Sequence, residues 1–120
     1  APVTAVLGNG DYFRGYQKYS RIEVVNFDLI KILLTHQYPA YGETSQELEN
    51  RIHLCSPQII VSGHTHTPVH QQEKETLYFN PGSAGNTLYY ADKSVGLLTI
   101  HPHNNGAYSV NAEIIKLEVF

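Results

Sequence analysis

Seven histidines stand in this 120-residue chain. Two of them, His64 and His66, sit one residue apart in Gly63-His64-Thr65-His66-Thr67-Pro68, directly after the apolar run Ile59-Ile60-Val61. A neutral imidazole nitrogen is a good donor to borderline transition ions. In extended chain, residues i and i+2 point to opposite sides, so the loop must curl if both rings are to serve one site. Once curled, this spacing suits two ions, one histidine to each, better than both histidines on one ion. Gly63 is expected to permit the turn and Pro68 to stiffen the exit. The competing reading is a pair of solvated loop histidines. Position weighs against it, because open α/β sheets bind ligands at the carboxyl ends of buried strands.

Three further motifs also follow apolar runs. His36 follows Leu33-Leu34-Thr35, Leu7 leads into Gly8-Asn9-Gly10-Asp11, and Phe79 leads into Asn80-Pro81-Gly82-Ser83. Taken singly, each is ordinary: strand-end histidines pack or hydrogen-bond, and Asn-Gly and Pro-Gly are turn dipeptides whatever the function. The remaining histidines carry weaker signals. His70 lies four residues past His66 on a strand leaving the loop, His53 lies off the apolar face of a helix, and His101 and His103 flank Pro102 beside a turn. Residues 38–42 (Tyr-Pro-Ala-Tyr-Gly) suit either a substrate-facing aromatic loop or a linker into the helix.

The elements that must position these groups follow from hydrophobic periodicity and turn residues. Residues 2–7 are predicted to form a buried strand ending at Gly8, and 12–20 an irregular surface loop. Ile22–Phe27 and 29–34 form a hairpin that bends near Asn26-Phe27-Asp28. A helix is predicted over 45–55, with a Thr44/Glu47 capping box and Leu48, Ile52 and Cys55 on one face. Ser56-Pro57 ends it, since the residue before proline avoids helical angles. Residues 58–62 read as a strand buried on both faces. Strands follow at Val69–Glu73, 76–79, 95–101 and 108–120, with Asn105-Gly106 as the hairpin signal between the last two. In the final strand Val110, Ala112 and Ile114 share one parity, while Ile115, Leu117 and Val119 share the other. A bulge, or burial on both sides, would account for that. The order is mixed α/β, weighted to β.

Composition bounds the function. With 42% hydrophobic and 16% charged residues, the chain is neither disordered nor fibrous and amounts to one domain, 1–120. No apolar run approaches the ~18 residues of a membrane helix, and no signal peptide opens the sequence. A net charge of −3 excludes a bulk electrostatic grip on nucleic acid or an anionic membrane. Tyr12, Tyr16 and Tyr19 do interleave with Arg14 and Lys18, but eleven acids outnumber eight bases. A lone cysteine, Cys55, points to a reducing, cytoplasmic setting.

The four motifs, in the order GNxD, strand-His, GHTH, NPGS, resemble the calcineurin-like metallophosphoesterases. They are most similar to the small single-domain phosphodiesterases of that superfamily and to their relative, the retromer scaffold subunit. The resemblance implies a four-layer α/β-β/α sandwich, of which this chain is mostly the second, β-rich half. It implies two divalent transition-metal ions (Mn, Zn, Fe or Ni) rather than Ca²⁺. Asn9, His36 and His64 would bind one ion and His66 the other, with Gly8, Gly63, Asn80 and Gly82 supporting the site. The activity implied is hydrolysis of a phosphodiester or phosphomonoester by a metal-bound hydroxide at a dinuclear site.

The sequence also departs from that pattern. It contains no Asp-x-His, and its only Gly-Asp is Gly10-Asp11, already used in the GNxD motif. The family's first two metal motifs are thus absent, and the chain resembles its carboxyl-terminal two-thirds. Gly10 stands where many relatives carry a histidine able to protonate a leaving group. The expectation is a phosphoesterase that holds at most one ion weakly and is poorly active as this chain alone. The alternative is a non-catalytic scaffold or protein-interaction module with a vestigial metal site. Val3, Val6, Leu7 and residues 59–61 would lack partner strands, so an oligomer or a complementary chain supplying the missing half is expected alongside the phosphoester substrate.

Overall fold

The structure, a computed structural model, describes residues 2–8, 19–40, 43–85 and 92–117, excepting the side chains of residues 43 and 44. Asn9, Gly10, Asp11 and most of the tyrosine-rich loop lie outside these residues. Within them, β1 (Ile22–Phe27) and β2 (Ile30–Thr35) form an antiparallel hairpin closed by Phe27↔Ile30. A two-residue connection is tight, and Asp28 meets it with φ 55°, a left-handed conformation that Asp tolerates better than most residues. Helix α1 (Glu43–Cys55) follows, then β3 (Ile59–Val61), β4 (Val69–Glu73), β5 (Thr76–Asn80), β6 (Ser94–Pro102) and β7 (Tyr108–Lys116).

Five strands make one sheet in the order β1-β2-β3-β5-β4, and β6-β7 form a separate ribbon. The short central strand β3 pairs in parallel with β2 on one side and β5 on the other. Alternation of side chains along it divides the core. Ile60 joins Ile22, Leu33 and Leu48 on the helix side, while Ile59 joins Ile30 and Leu77 on the ribbon side. The helix buries the face expected of it: Leu48 is 2% exposed and Ile52 and Cys55 pack beside it. Leu98, Ile100, Val110 and Ala112 line the inner face of the ribbon. The architecture is mixed α/β, a sheet with one helix on one face and a two-stranded ribbon on the other. No helix among the described residues is long and apolar enough to cross a membrane.

Several expectations are corrected. Residues 2–8 form no strand; Val3 is 87% exposed. The Leu7 N–H donates to the Ser20 carbonyl at 2.9 Å, and an apolar run becomes a buried strand only where a neighbouring edge accepts it. The helix begins at Glu43, so Thr44 lies inside the first turn rather than at the cap. An acidic residue at that end is favoured by the free amides and the helix dipole. At the other end Ser56 turns left-handed (φ 46°) while its N–H reaches the Ile52 carbonyl at 2.9 Å, closing the helix as well as preceding Pro57. The last strand has neither a bulge nor two buried faces. Its register with β6 runs unbroken from Ser94↔Lys116 to Pro102↔Tyr108. Val110, Ala112 and Ile114 turn inward, whereas Ile115 and Leu117 stay exposed beside Val95 and Leu97. Residues 118–120 of the predicted strand lie outside the described residues.

The two faces should respond differently to mutation. Leu33 is fully buried, so Leu33→Ala should cost about 3 kcal/mol by urea denaturation, from lost transfer energy plus a cavity. Leu97→Ser on the outer face of the ribbon should shift stability by no more than about 0.5 kcal/mol.

Candidate metal centre

Parallel pairing of β2, β3 and β5 brings their carboxyl ends out at one rim. His36 leaves β2 there, Gly63-His64 leaves β3, and Asn80 ends β5. The Gly63 N–H donates to the His36 carbonyl (2.8 Å), which continues the β2–β3 ladder past the last strand residue. His36 Nε2 then stands 3.0 Å from His64 Nδ1, with the rings edge to face at 80°. This is the closest approach of two predicted ligands, and it links loops 28 positions apart.

The loop curls by an unexpected device. Gly63 has no left-handed φ, and a Cβ placed there would meet only the His36 carbonyl at 3.6 Å, an ordinary contact. The left-handed residues are the histidines themselves, His64 at φ 70° and His66 at φ 60°. Thr65 N–H bonds to the Gly63 carbonyl (2.9 Å), which closes a γ-turn centred on His64. A γ-turn with positive φ is the rarer, strained hand. Side chains with a Cβ rarely occupy this region, and each such residue costs about 1–3 kcal/mol unless its surroundings hold it. The turn aims the two imidazoles differently. His64 reaches His36, while the His66 Nδ1 is buried with no hydrogen-bond partner. Among the described residues no three His, Cys, Asp or Glu gather closely enough to hold an ion.

Asn80 is what holds the curl. Only 4% exposed, it donates from Nδ2 to the Gly63 carbonyl and to Thr65 Oγ1, both at 3.1 Å, and its Oδ1 accepts the Gly82 N–H at 2.9 Å. Gly82 adopts φ 83°, and a Cβ there would lie 2.2 Å from Ser94 Oγ and 3.1 Å from Pro68 Cγ. Ser94 is itself fastened, its Oγ donating to the Pro81 carbonyl at 2.7 Å and its N–H to the Ser83 carbonyl at 2.9 Å. Sequence reasoning missed Thr65 and Ser94. The signal available was a hydroxyl lodged between the two histidines, and a serine at the head of an otherwise apolar strand. Asn9 lies outside the described residues. His70 is exposed and edges the Phe79 ring (6.1 Å between centroids), away from the His36–His64 pair in the pairings the structure gives. His53, His101 and His103 are exposed, as expected.

The donor set suits a borderline divalent ion. Two imidazoles share one rim, and a third has a buried ring nitrogen with no hydrogen-bond partner in the protein, which is unfavourable for a polar atom without a ligand. Two substitutions should separate strain from support. Replacing Gly82 with Ala forces a β-carbon into Ser94 and should destabilise the fold by about 2 kcal/mol. His64→Gly should raise the melting temperature, because it relieves the γ-turn, while abolishing any metal-induced thermal shift.

No curated protein matches the sequence. By structure the chain is similar to Vps29 of Chaetomium thermophilum at 16% identity, covering 94% of this chain and 67% of that one with a TM-score of 0.64. It is similar to Vps29 of Entamoeba histolytica, solved with Zn²⁺, at 23% identity, 95% and 68% coverage and a TM-score of 0.61. An archaeal phosphodiesterase gives 22% identity, 94% and 70% coverage and a TM-score of 0.61. These likenesses concern the fold, and the chain spans little more than two thirds of each neighbour's length. Because residues 1–103 match the profile of the calcineurin-like phosphoesterase superfamily domain, the chain belongs to that superfamily.

Proposed function

We propose that this chain is the metal-binding, β-rich portion of a phosphoesterase that hydrolyses phosphate esters with divalent transition ions. The observation that carries the reading is the 3.0 Å approach of His36 to His64 at the common rim of β2 and β3. His36 and His64, with Asn9, are proposed to hold one ion, and His66, through the ring that now has an orphaned nitrogen, to serve a second. Manganese, zinc, iron or nickel suits such nitrogen donors. When bound, such ions supply positive charge to phosphate oxygens and make a water molecule acidic.

The chain's own residues do the rest. Asn80 and Gly82 keep the loop from relaxing, so the imidazoles are already oriented before an ion arrives. An ion taken up through His36 Nε2 and His64 Nδ1 would replace the contact between them, since one nitrogen cannot both share a proton with a partner and donate its lone pair to an ion, whereas the second nitrogen of each ring can bind with the contact intact. Three histidines and an amide bring no negative charge, and the sequence has neither Asp-x-His nor a second Gly-Asp. Uncompensated charge makes retention weak, and turnover by these 120 residues is accordingly expected to be slow.

A second reading, a non-catalytic scaffold of the same fold, has its own support. No carboxylate joins the histidines among the described residues, and Val95, Leu97, Ile115 and Leu117 form an exposed apolar strip on the outer face of the ribbon. Patches of this kind mark interaction surfaces, and among the described residues neither edge of the ribbon pairs with a further strand. Self-association or a complementary chain is proposed to cover them. The free Cys55 fits a cytoplasmic, reducing setting.

Equilibrium dialysis against Mn²⁺ and Zn²⁺, paired with hydrolysis of bis(4-nitrophenyl) phosphate, tests the first reading. A single weakly held ion, slow turnover, and loss of both in His64→Ala are expected. Uptake of no ion, with His64→Ala indistinguishable from the parent, would leave the scaffold. Size-exclusion chromatography should show a species larger than a monomer that shrinks on dilution; a monomer at all concentrations would remove the case for a covered ribbon.

A further inference from the structure

A cavity of about 220 Å³ opens on the helix-side face of the five-stranded sheet, beside its edge strand β4. Alternation along β4 places Val69, Gln71 and Glu73 on one face, and Gln71 lies across from Tyr78 of β5. Tyr38, from the segment just after His36, stacks on Tyr78 with ring centroids 5.2 Å apart and planes 25° apart. One wall is therefore a pair of aromatic rings. The other carries the Glu73 carboxylate, whose Oε1 accepts the Gln71 side-chain amide at 2.9 Å.

Two carboxylates, Glu49 and Glu73, lie near the Tyr38 phenol. Burial raises the Tyr38 phenol to about 12, and its bond to Tyr78 and the nearby Glu49 and Glu73 carboxylates push in the same direction. Tyr38 is consequently a neutral phenol throughout the physiological range. The Lys116–Asp92 salt bridge lies at the base of the ribbon and involves neither of these carboxylates. A stacked tyrosine pair, a carboxylate already oriented by an amide, and a phenol hydroxyl make a cradle for a cation.

We infer that the Tyr38–Tyr78–Glu73 cavity binds a guanidinium group on an aliphatic stem, as in an arginine side chain. Guanidinium is planar and weakly hydrated, so it stacks on tyrosine faces and bonds a carboxylate through a two-pronged edge. Ammonium is a compact, strongly hydrated point charge and gains less from such walls. The stem would lie against Val69 and Pro39, which also line the cavity. The site shares no side chain with the histidine cluster, although Thr65 and Asn80 border both. Its validity does not depend on metal binding or on hydrolysis.

The experiment is an amide and tyrosine-ring NMR titration of the 120-residue chain with three probes. These are agmatine, the blocked tripeptide acetyl-Gly-Arg-Gly-amide, and the same tripeptide with citrulline, a neutral isostere. Saturable shifts at Tyr38, Gln71, Glu73 and Tyr78 are expected with agmatine and the arginine peptide, and none with citrulline. A peptide that binds more tightly than agmatine identifies a protein-borne arginine, with backbone contacts to β4 adding to the grip. Equal binding identifies a small guanidinium ligand read by its head group alone. Glu73→Gln, at an exposed position that leaves the fold intact, should weaken binding by about tenfold, and added salt should weaken it further. Citrulline binding as well as arginine, or Glu73→Gln leaving the affinity unchanged, would overturn the inference. His64→Ala should bind the arginine peptide like the parent chain, so failure of the metal reading and failure of this one are told apart.

Discussion

Parallel pairing around a strand of three residues governs the whole arrangement. Ile59 and Ile60 are each about 1% exposed, one facing the ribbon and the other the helix, so β3 cannot slip by a residue without exchanging its two cores. Its register with β2 and β5 in turn decides which residues emerge together. Leu34, Val61 and Phe79 are the last paired row. Beyond it come Thr35-His36, Ser62-Gly63-His64 and Asn80, which belong to three separate stretches of sequence. Were β5 antiparallel to β3, Asn80 would leave at the opposite end and the GHTH loop would lose its anchor.

The anchor matters because the loop is not at rest. Left-handed φ at both His64 and His66 is a conformation that glycine would adopt with less strain, and here it falls on two of the residues proposed as metal ligands. A free loop would relax. It is prevented from relaxing by a chain of close contacts running Gly63 carbonyl–Asn80–Gly82–Ser94–Pro81, in which Ser94 belongs to the start of β6. The ribbon thus reaches the histidines through the NPGS turn, and its packing on Ile30, Ile59 and Leu77 contributes to their orientation as well as to the core. Such strain, maintained by the surroundings, is characteristic of functional loops.

Much of this was legible residue by residue. The apolar run 59–61 announced a doubly buried strand, the spacing of Leu48, Ile52 and Cys55 announced the packed face of the helix, and Asn105-Gly106 announced the ribbon's turn, where Gly106 takes φ 82°. What failed has a common cause: local apolarity states what a segment could bury, not what is available to bury it. Residues 2–7 read as a buried strand, yet Val3 meets solvent. Ile115 and Leu117 read as interior, yet an unbroken register leaves them outside. In the site, the histidines and NPGS could be named from their motifs. The γ-turn at His64 could not, because a glycine stood next to it and offered the easier explanation. The Tyr38–Tyr78 stack was equally hidden, since it joins residues 40 apart that only the β2–β3–β5 alignment brings together.

Charge is where the two proposed roles of this chain part. At the histidine rim the donors are neutral, so an ion would keep nearly its full charge there and lean on substrate or solvent to compensate it. That favours an anionic phosphate as the group that completes the site, and it also explains why the protein alone would retain metal poorly. On the adjoining helix-side face the balance is reversed: Glu73 and Glu49 stand near the stacked tyrosine rings. A guanidinium there would supply the opposite charge to that face. The same sheet therefore presents an electropositive demand for anions at one surface, conditional on metal, and a standing demand for cations at the other.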